Sequence, residues 1–202
     1  FDFKASSWQG FTPPTMDSFQ TDKFTGAGTY SLPLWTPPGS GGLQPKLTLN
    51  YNSQVIDEGS AFTQASWVGS GWSLDTGAII RNMHGTNSDL SDDTFSIQMG
   101  GISGQLLQVG PASSNVFKTA DQSFLQVTHE TDNEWIATTP DGTVYTFGLP
   151  SKTNKTDGCA AASSLDVTWR WSLTSVTDIH GNTITYTYYE EAKGVSNCSN
   201  EI

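Results

Sequence analysis

Residues 21–53, TDKFTGAGTYSLPLWTPPGSGGLQPKLTLNYNS, constrain the fold more than any other stretch of this chain. Residues 27–35 alternate in side-chain character, and residues 45–52 alternate again through Lys46, Leu47, Thr48, Leu49, Asn50 and Tyr51 before ending at Asn52. Between them lies a run dense in Pro37, Pro38, Gly39, Gly41 and Gly42, which cannot form regular structure. The segment reads as two strands joined by a loop of fixed character. Nothing in it is catalytic, so it speaks for architecture.

The rest of the chain agrees with a sheet protein. Charged residues make up only 14% of the 202, and the runs of Thr, Tyr, Trp and Val suit pleated, half-buried surfaces better than helices. We expect an all-β chain of predominantly antiparallel sheets and hairpins, as one large domain or two small ones, with helix nearly absent. The net charge is −11, and only nine Lys and Arg are spread along the sequence, with Arg81 and Arg170 isolated. Such a balance argues against nucleic acid or an anionic membrane as a partner and keeps a sheet-rich surface soluble. No run of about 18 apolar residues is present, so membrane insertion is not expected. No leader is legible at Phe1; export would imply one removed or lying outside these residues.

Along the chain, residues 1–20 are aromatic but poorly periodic and read as an extended arm. Residues 55–64 read as an exposed loop. Residues 66–83 read as two strands, with Gly69 and Gly71 alternating beside Trp67 and Trp72. If 67–72 were one extended strand, its two tryptophans would point to opposite faces of a sheet covered on both sides. Residues 94–99, 104–109, 116–119 and 123–129 make four short strands at meander spacing. Residues 134–139 and 143–147 form the clearest hairpin, because Asp141-Gly142 supplies a tight turn. Ile179-His180-Gly181-Asn182 does the same between residues 167–178 and 183–189, after Asp178.

Cys159 and Cys198 are the two cysteines, in loop-like segments that flank this last strand pair. A hairpin brings its open ends together, which favours a disulfide over a metal site needing further ligands. Asn154-Lys155-Thr156 and Asn197-Cys198-Ser199 are sequons, so Asn154 and Asn197 are acceptors wherever glycosylation machinery meets them. Catalytic signatures are missing: His129-Glu130 lacks a second histidine, no nucleophile elbow surrounds Ser40, Ser70 or Ser103, and no phosphate-binding loop exists. His84 and His129 read as residues of polar edges and His180 as a turn residue. Asp89, Asp92 and Asp93 cluster without the spacing of a calcium loop and read as solvated. No catalytic residue, cofactor or metal is expected. Trp67, Trp72, Trp135, Trp169 and Trp171, with Tyr186, Tyr188 and Tyr189, could stack sugars on one face, but paired aromatics in strands are more often core.

The order T-G, Y-S-L-P-L, P-P-G-S-G-G, L-T-L-N-Y-N-S within residues 25–53, followed by Gly69-Ser70-Gly71-Trp72-Ser73-Leu74, resembles the opening module of Rhs/YD-repeat proteins. This is the Salmonella plasmid-virulence-type N-terminal domain shared with the B component of Tc toxin complexes. Residues 141–148 and 171–173, with Asp178, Gly181, Asn182, Tyr186 and Tyr188 in the run from Val176, resemble the start of the YD-repeat array. A YD repeat would carry Tyr followed by Asp where this chain has Tyr188-Tyr189-Glu190.

After the arm at 1–20, the resemblance, which spans about residues 21–190, implies a β-rich virulence-type module at 21–150 and an opening hairpin of a YD-repeat-like region at 151–202. It further implies a non-catalytic part of a secreted or cell-surface protein, pairing by strands with other segments or chains of a β-shell that encloses a C-terminal effector. Two other readings of the residues stay open. One is a secreted carbohydrate-binding or adhesive module with glycans as partners; the other is a protomer of an extracellular β-rich fibre.

Overall fold

A computed structural model of the chain describes residues 19–21, 26–57, 66–84, 91–111, 113–121, 124–131, 133–154 and 165–189. The chain divides into two compact units, Phe1–Trp35 with Leu47–Asp75, and Thr36–Lys46 with Thr76–Ile202. The all-β expectation holds, and every named strand pairing is antiparallel.

The first unit is a four-stranded sheet in the order β1 (Phe19–Thr21), β2 (Gly28–Leu34), β3 (Leu47–Asn52) and β4 (Trp72–Asp75). Its register explains the alternation read in the sequence. Tyr30, Tyr51 and Trp72 lie in one cross-strand row, and Leu32, Leu49 and Leu74 in the next row on the same face. Ser31, Asn50 and Ser73 form a row on the other face, where the Ser31 hydroxyl donates to Asn50 Oδ1 at 2.7 Å. One face is thus apolar and the other polar.

Two readings need correction here. Residues 54–57 are a single helical turn, α1 (Gln54–Asp57), begun by the Gln54 N–H donating to Asn52 Oδ1 at 3.0 Å. Nor is 67–72 one extended strand. Gly69 and Gly71 take φ of 118° and 74°, Gly69 N–H closes a turn on Ser66 O at 2.9 Å, and β4 starts only at Trp72. A glycine-rich segment with two positive φ values turns where a strand would run straight. Trp67 is consequently 73% exposed.

The second unit contains β5 (Ala78–Asn82), β6 (Thr94–Met99), β7 (Ile102–Gln108), β8 (Val116–Thr119), β9 (Gln126–Thr131), β10 (Glu134–Thr138), β11 (Val144–Asn154), β12 (Leu165–Thr177) and β13 (Thr183–Thr185). From β5 to β11 the strands form a meander, each paired with the next. β12 then pairs with β11 on one side and with β5 on the other, closing an eight-stranded barrel. β13 adds to β12 through Ser175–Thr185, Val176–Ile184 and Thr177–Thr183. Strand ends before the last tyrosines: 186–189 lie outside β13, although the Tyr186 N–H still donates to Thr174 O at 2.9 Å.

The long β11–β12 pair shifts register at several points, one of them skipping Gly148 between Phe147 and Leu149. Such bulges bend a strand pair, and bending is what lets a sheet close. Inward-facing side chains fill the result. Ile79, Ile97, Met99, Leu106, Phe117, Val127, Trp135, Phe147, Trp171 and Leu173 belong to one core cluster, and Trp135 and Phe147 are completely buried. Trp135 packs against Phe117, Phe95 and Trp171 with ring centroids 4.9, 5.0 and 5.7 Å away.

Trp135→Ala is expected to cost about 3–5 kcal/mol, because the surrounding rings cannot collapse onto so large a void. Trp67→Ala should stay within about 0.5 kcal/mol, as for other exposed substitutions. Chemical denaturation of the two variants checks the pair; equal stabilities would contradict this core.

Candidate functional site

The residues singled out by the sequence fall into two groups, one in each unit. In the first unit, Tyr51 and Trp72 stack obliquely at 5.0 Å, and Trp72 meets Tyr30 edge-on at 6.4 Å. The Asn52 N–H donates to Gly71 O at 2.8 Å, tying the end of β3 to the turn before β4. A Cβ at Gly71 would stand 2.9 Å from Ile56 Cδ1 and 3.0 Å from Tyr51 Cε2, so both space and a positive φ reserve the position for glycine. The Tyr-Asn and Gly-Trp parts of the motif are therefore one packing unit. Its rings are occupied with each other.

The second group lies in the larger unit. Pro37, Pro38, Gly39, Gly41 and Gly42 belong to the segment Thr36–Lys46, which carries a 3-10 turn at Ser40–Gly42. Leu43 packs against the barrel's core cluster, while Gly41 faces Asp178 and Asn182. In the turn between β12 and β13, Asp178 Oδ1 accepts from the His180 and Asn182 N–H groups, both at 2.8 Å, and Oδ2 accepts from Asn182 Nδ2 at 2.7 Å. Gly181 supplies φ of 83°. The Tyr188 hydroxyl donates to Leu173 O at 2.7 Å, pinning the segment after β13 back onto β12. Burial pushes the Tyr186 and Tyr188 phenols above their ordinary value.

Sequence reasoning missed the barrel's polar interior. Arg81 was read as isolated, yet its Nε lies 3.4 Å from Asp93 Oδ2 and its guanidinium sits 5.3 Å over Phe95 and 5.6 Å over Trp171. Asp93 is accordingly buried, with 3% of its side chain exposed, and is no solvated loop residue. His129 stacks on Trp135 at 4.1 Å with 14° between planes, so it faces the core and not a polar edge. The alternation of β9 held the signal: Val127 and His129 are two apart and share a face. Paired, a guanidinium and a carboxylate can enter a barrel that neither could enter alone.

Among the described residues no group of three or more His, Cys, Asp or Glu is placed to hold a metal. His84 and His180 are exposed turn residues. Trp135 and Trp171 are core, Trp169 is half-buried, and Tyr189 is 98% exposed, so these aromatics do not share one face. Asn154 ends β11, whereas Cys159, Cys198, Asn197 and Asp89 lie outside the described residues.

The Asp178 carboxyl is held below its ordinary 3.8, first by the Asn182 side-chain hydrogen bond and then by the backbone N–H groups of Asn182 and His180. A depressed folded-state value stabilises the turn above 3.8, and that contribution is lost as pH falls through the lower folded-state value. On acid titration by NMR, the His180 and Asn182 amide shifts should move with a midpoint below 3.8. A midpoint at or above that value would contradict the hydrogen-bonded turn.

Residues 22–107, less than half of the chain, match the family model described as SpvB, Salmonella virulence plasmid 65kDa B protein. No curated protein matches the chain. Among solved structures, a chain of the Photorhabdus luminescens Tc holotoxin pore is similar over 87% of this sequence, with a TM-score of 0.54 and 22% identity. The similar region makes up 8% of that chain, so the present sequence corresponds to a small part of its length. The fold is thus shared with a component of a Tc holotoxin, and residues 22–107 are similar to a module of the SpvB type.

Proposed function

We propose that this chain is a non-catalytic structural module of a larger secreted or cell-surface toxin-complex protein, forming part of a β-shell that encloses or presents an effector. The observation that carries the reading is the way side chains are spent. The barrel interior is filled with packed aromatic and aliphatic residues and an Arg81–Asp93 pair, so the barrel acts as a solid building block. β13, by contrast, stands at the end of the strand order, paired with β12 alone among the described strands. Similarity to part of a far longer Tc holotoxin chain supports continuation of the sheet at that edge in a longer polypeptide. The partners are then other strands of the same shell, joined through backbone groups as any edge strand can be.

Hydrogen exchange tests this directly. The bonds at Tyr186–Thr174 and Asp178–Asn182 place the Ile184 N–H toward β12 and the Thr183 and Thr185 N–H groups away from it. In the isolated 202-residue chain, Thr183 and Thr185 should exchange quickly while Ile184 is protected. In the full-length gene product, all three should be protected. Equally fast exchange of Thr183 and Thr185 in both forms would remove the case for a continuing sheet.

A further inference from the structure

The loop Thr36–Lys46 is organised well beyond what a connection needs. Gly39 N–H donates to Leu43 O at 2.9 Å, Gly42 N–H to Gly39 O at 3.1 Å, the Thr36 hydroxyl to Pro45 O at 3.1 Å, and Gln44 Nε2 to Thr36 O. The loop is therefore closed on itself, and it presents one surface to the β12–β13 turn. At Gly41 a Cβ would fall 2.7 Å from Asn182 Nδ2 and 3.1 Å from Asp178 Oδ2. Asn182 has no easy way to yield. Its amide is donating to Asp178 Oδ2, while the other oxygen of Asp178 holds the turn's own N–H groups. Moving one side chain undoes the arrangement that shapes the turn.

Gly42 makes an internal comparison. It too has a positive φ, 79° against 68° at Gly41, yet nothing lies within 4 Å of the place its Cβ would take. A backbone requirement alone explains Gly42. Gly41 needs the second reason, close approach.

We propose that this loop is a conformational latch: the seating of Gly41 on the Asp178–Asn182 pair, with Leu43 anchored against the core, locks the β12–β13 turn and thereby the position of β13. The latch joins the two stretches that the sequence marks most strongly, residues 36–42 and 178–182, as two halves of one device. It does not depend on whether the sheet continues past β13. Coupling between the halves is reciprocal, so loosening either must loosen the other.

The test is a double-mutant cycle read by amide exchange in the whole chain. Gly41→Ala and Gly42→Ala share the strain of a left-handed backbone, so their difference isolates the contact. Gly41→Ala should speed exchange at Gly181, Asn182 and Ile184 by about tenfold more than Gly42→Ala does, leaving Ile97 and Trp135 unchanged. In an Asn182→Ala background that excess should shrink, leaving only the lesser approach to Asp178 Oδ2. Should Gly41→Ala fail to fold, Asn182→Ala alone decides: exchange at Gly42 and Leu43 must rise by reciprocity. Equal effects of the two glycine variants, an undiminished Gly41→Ala effect without Asn182, a uniform rise across the barrel, or an unchanged loop in Asn182→Ala would each overturn the latch.

Discussion

β12 is the element on which the larger unit depends, because among the described strands of that unit its pairing with β5 is the one that joins strands not consecutive in sequence. The meander from β5 to β11 needs only local hairpins, but a meander is an open sheet with two edges. Pairing β12 with both β11 and β5 removes those edges and encloses the apolar side chains. Trp171, on β12 opposite Ile79 of β5, brings a large ring into that interior beside Trp135. Closure and core formation are thus one event. Arg81 is tolerated within it because Asp93, Phe95 and Trp171 surround the guanidinium with an opposite charge and ring faces.

Much of this architecture was legible wherever the physics is local. Alternation located β2 and β3, and the spacing of turn residues located β6 and β8, to within a residue or two, while the Asp141-Gly142 turn fixed the pairing of Trp135 with Phe147. Gly142, with φ of 85°, is the turn residue that chemistry requires there. What stayed hidden was long-range. The β12–β5 pairing joins residues about ninety positions apart, and no pattern inside either strand announces its partner. Polar interior residues were misread for a related reason: Arg81, Asp93 and His129 look solvent-loving until their neighbours are known. The turn at 66–71 failed differently, because glycine between tryptophans fits both a bulged strand and a turn, and only the backbone angles decide.

The motif residues turned out to act in contact more than in chemistry. Glycines appear where a side chain would collide, as at Gly41 and Gly71, or where a turn needs positive φ, as at Gly181. Asp178 and Asn182 spend their polar atoms on each other and on the turn backbone. Tyr51 and Trp72 pack their rings against each other.

The central claim is that a solid barrel serves as a building block with one edge left for extension. Electron microscopy of the intact gene product at side-chain resolution tests it most directly. The account predicts the closed barrel of β5 to β12 with Trp135 and Trp171 at its centre, and a further strand hydrogen-bonded to the Thr183 and Thr185 edge of β13 as part of an extended wall. A barrel standing alone with that edge facing solvent, or an interior opened around a bound ligand, would contradict it.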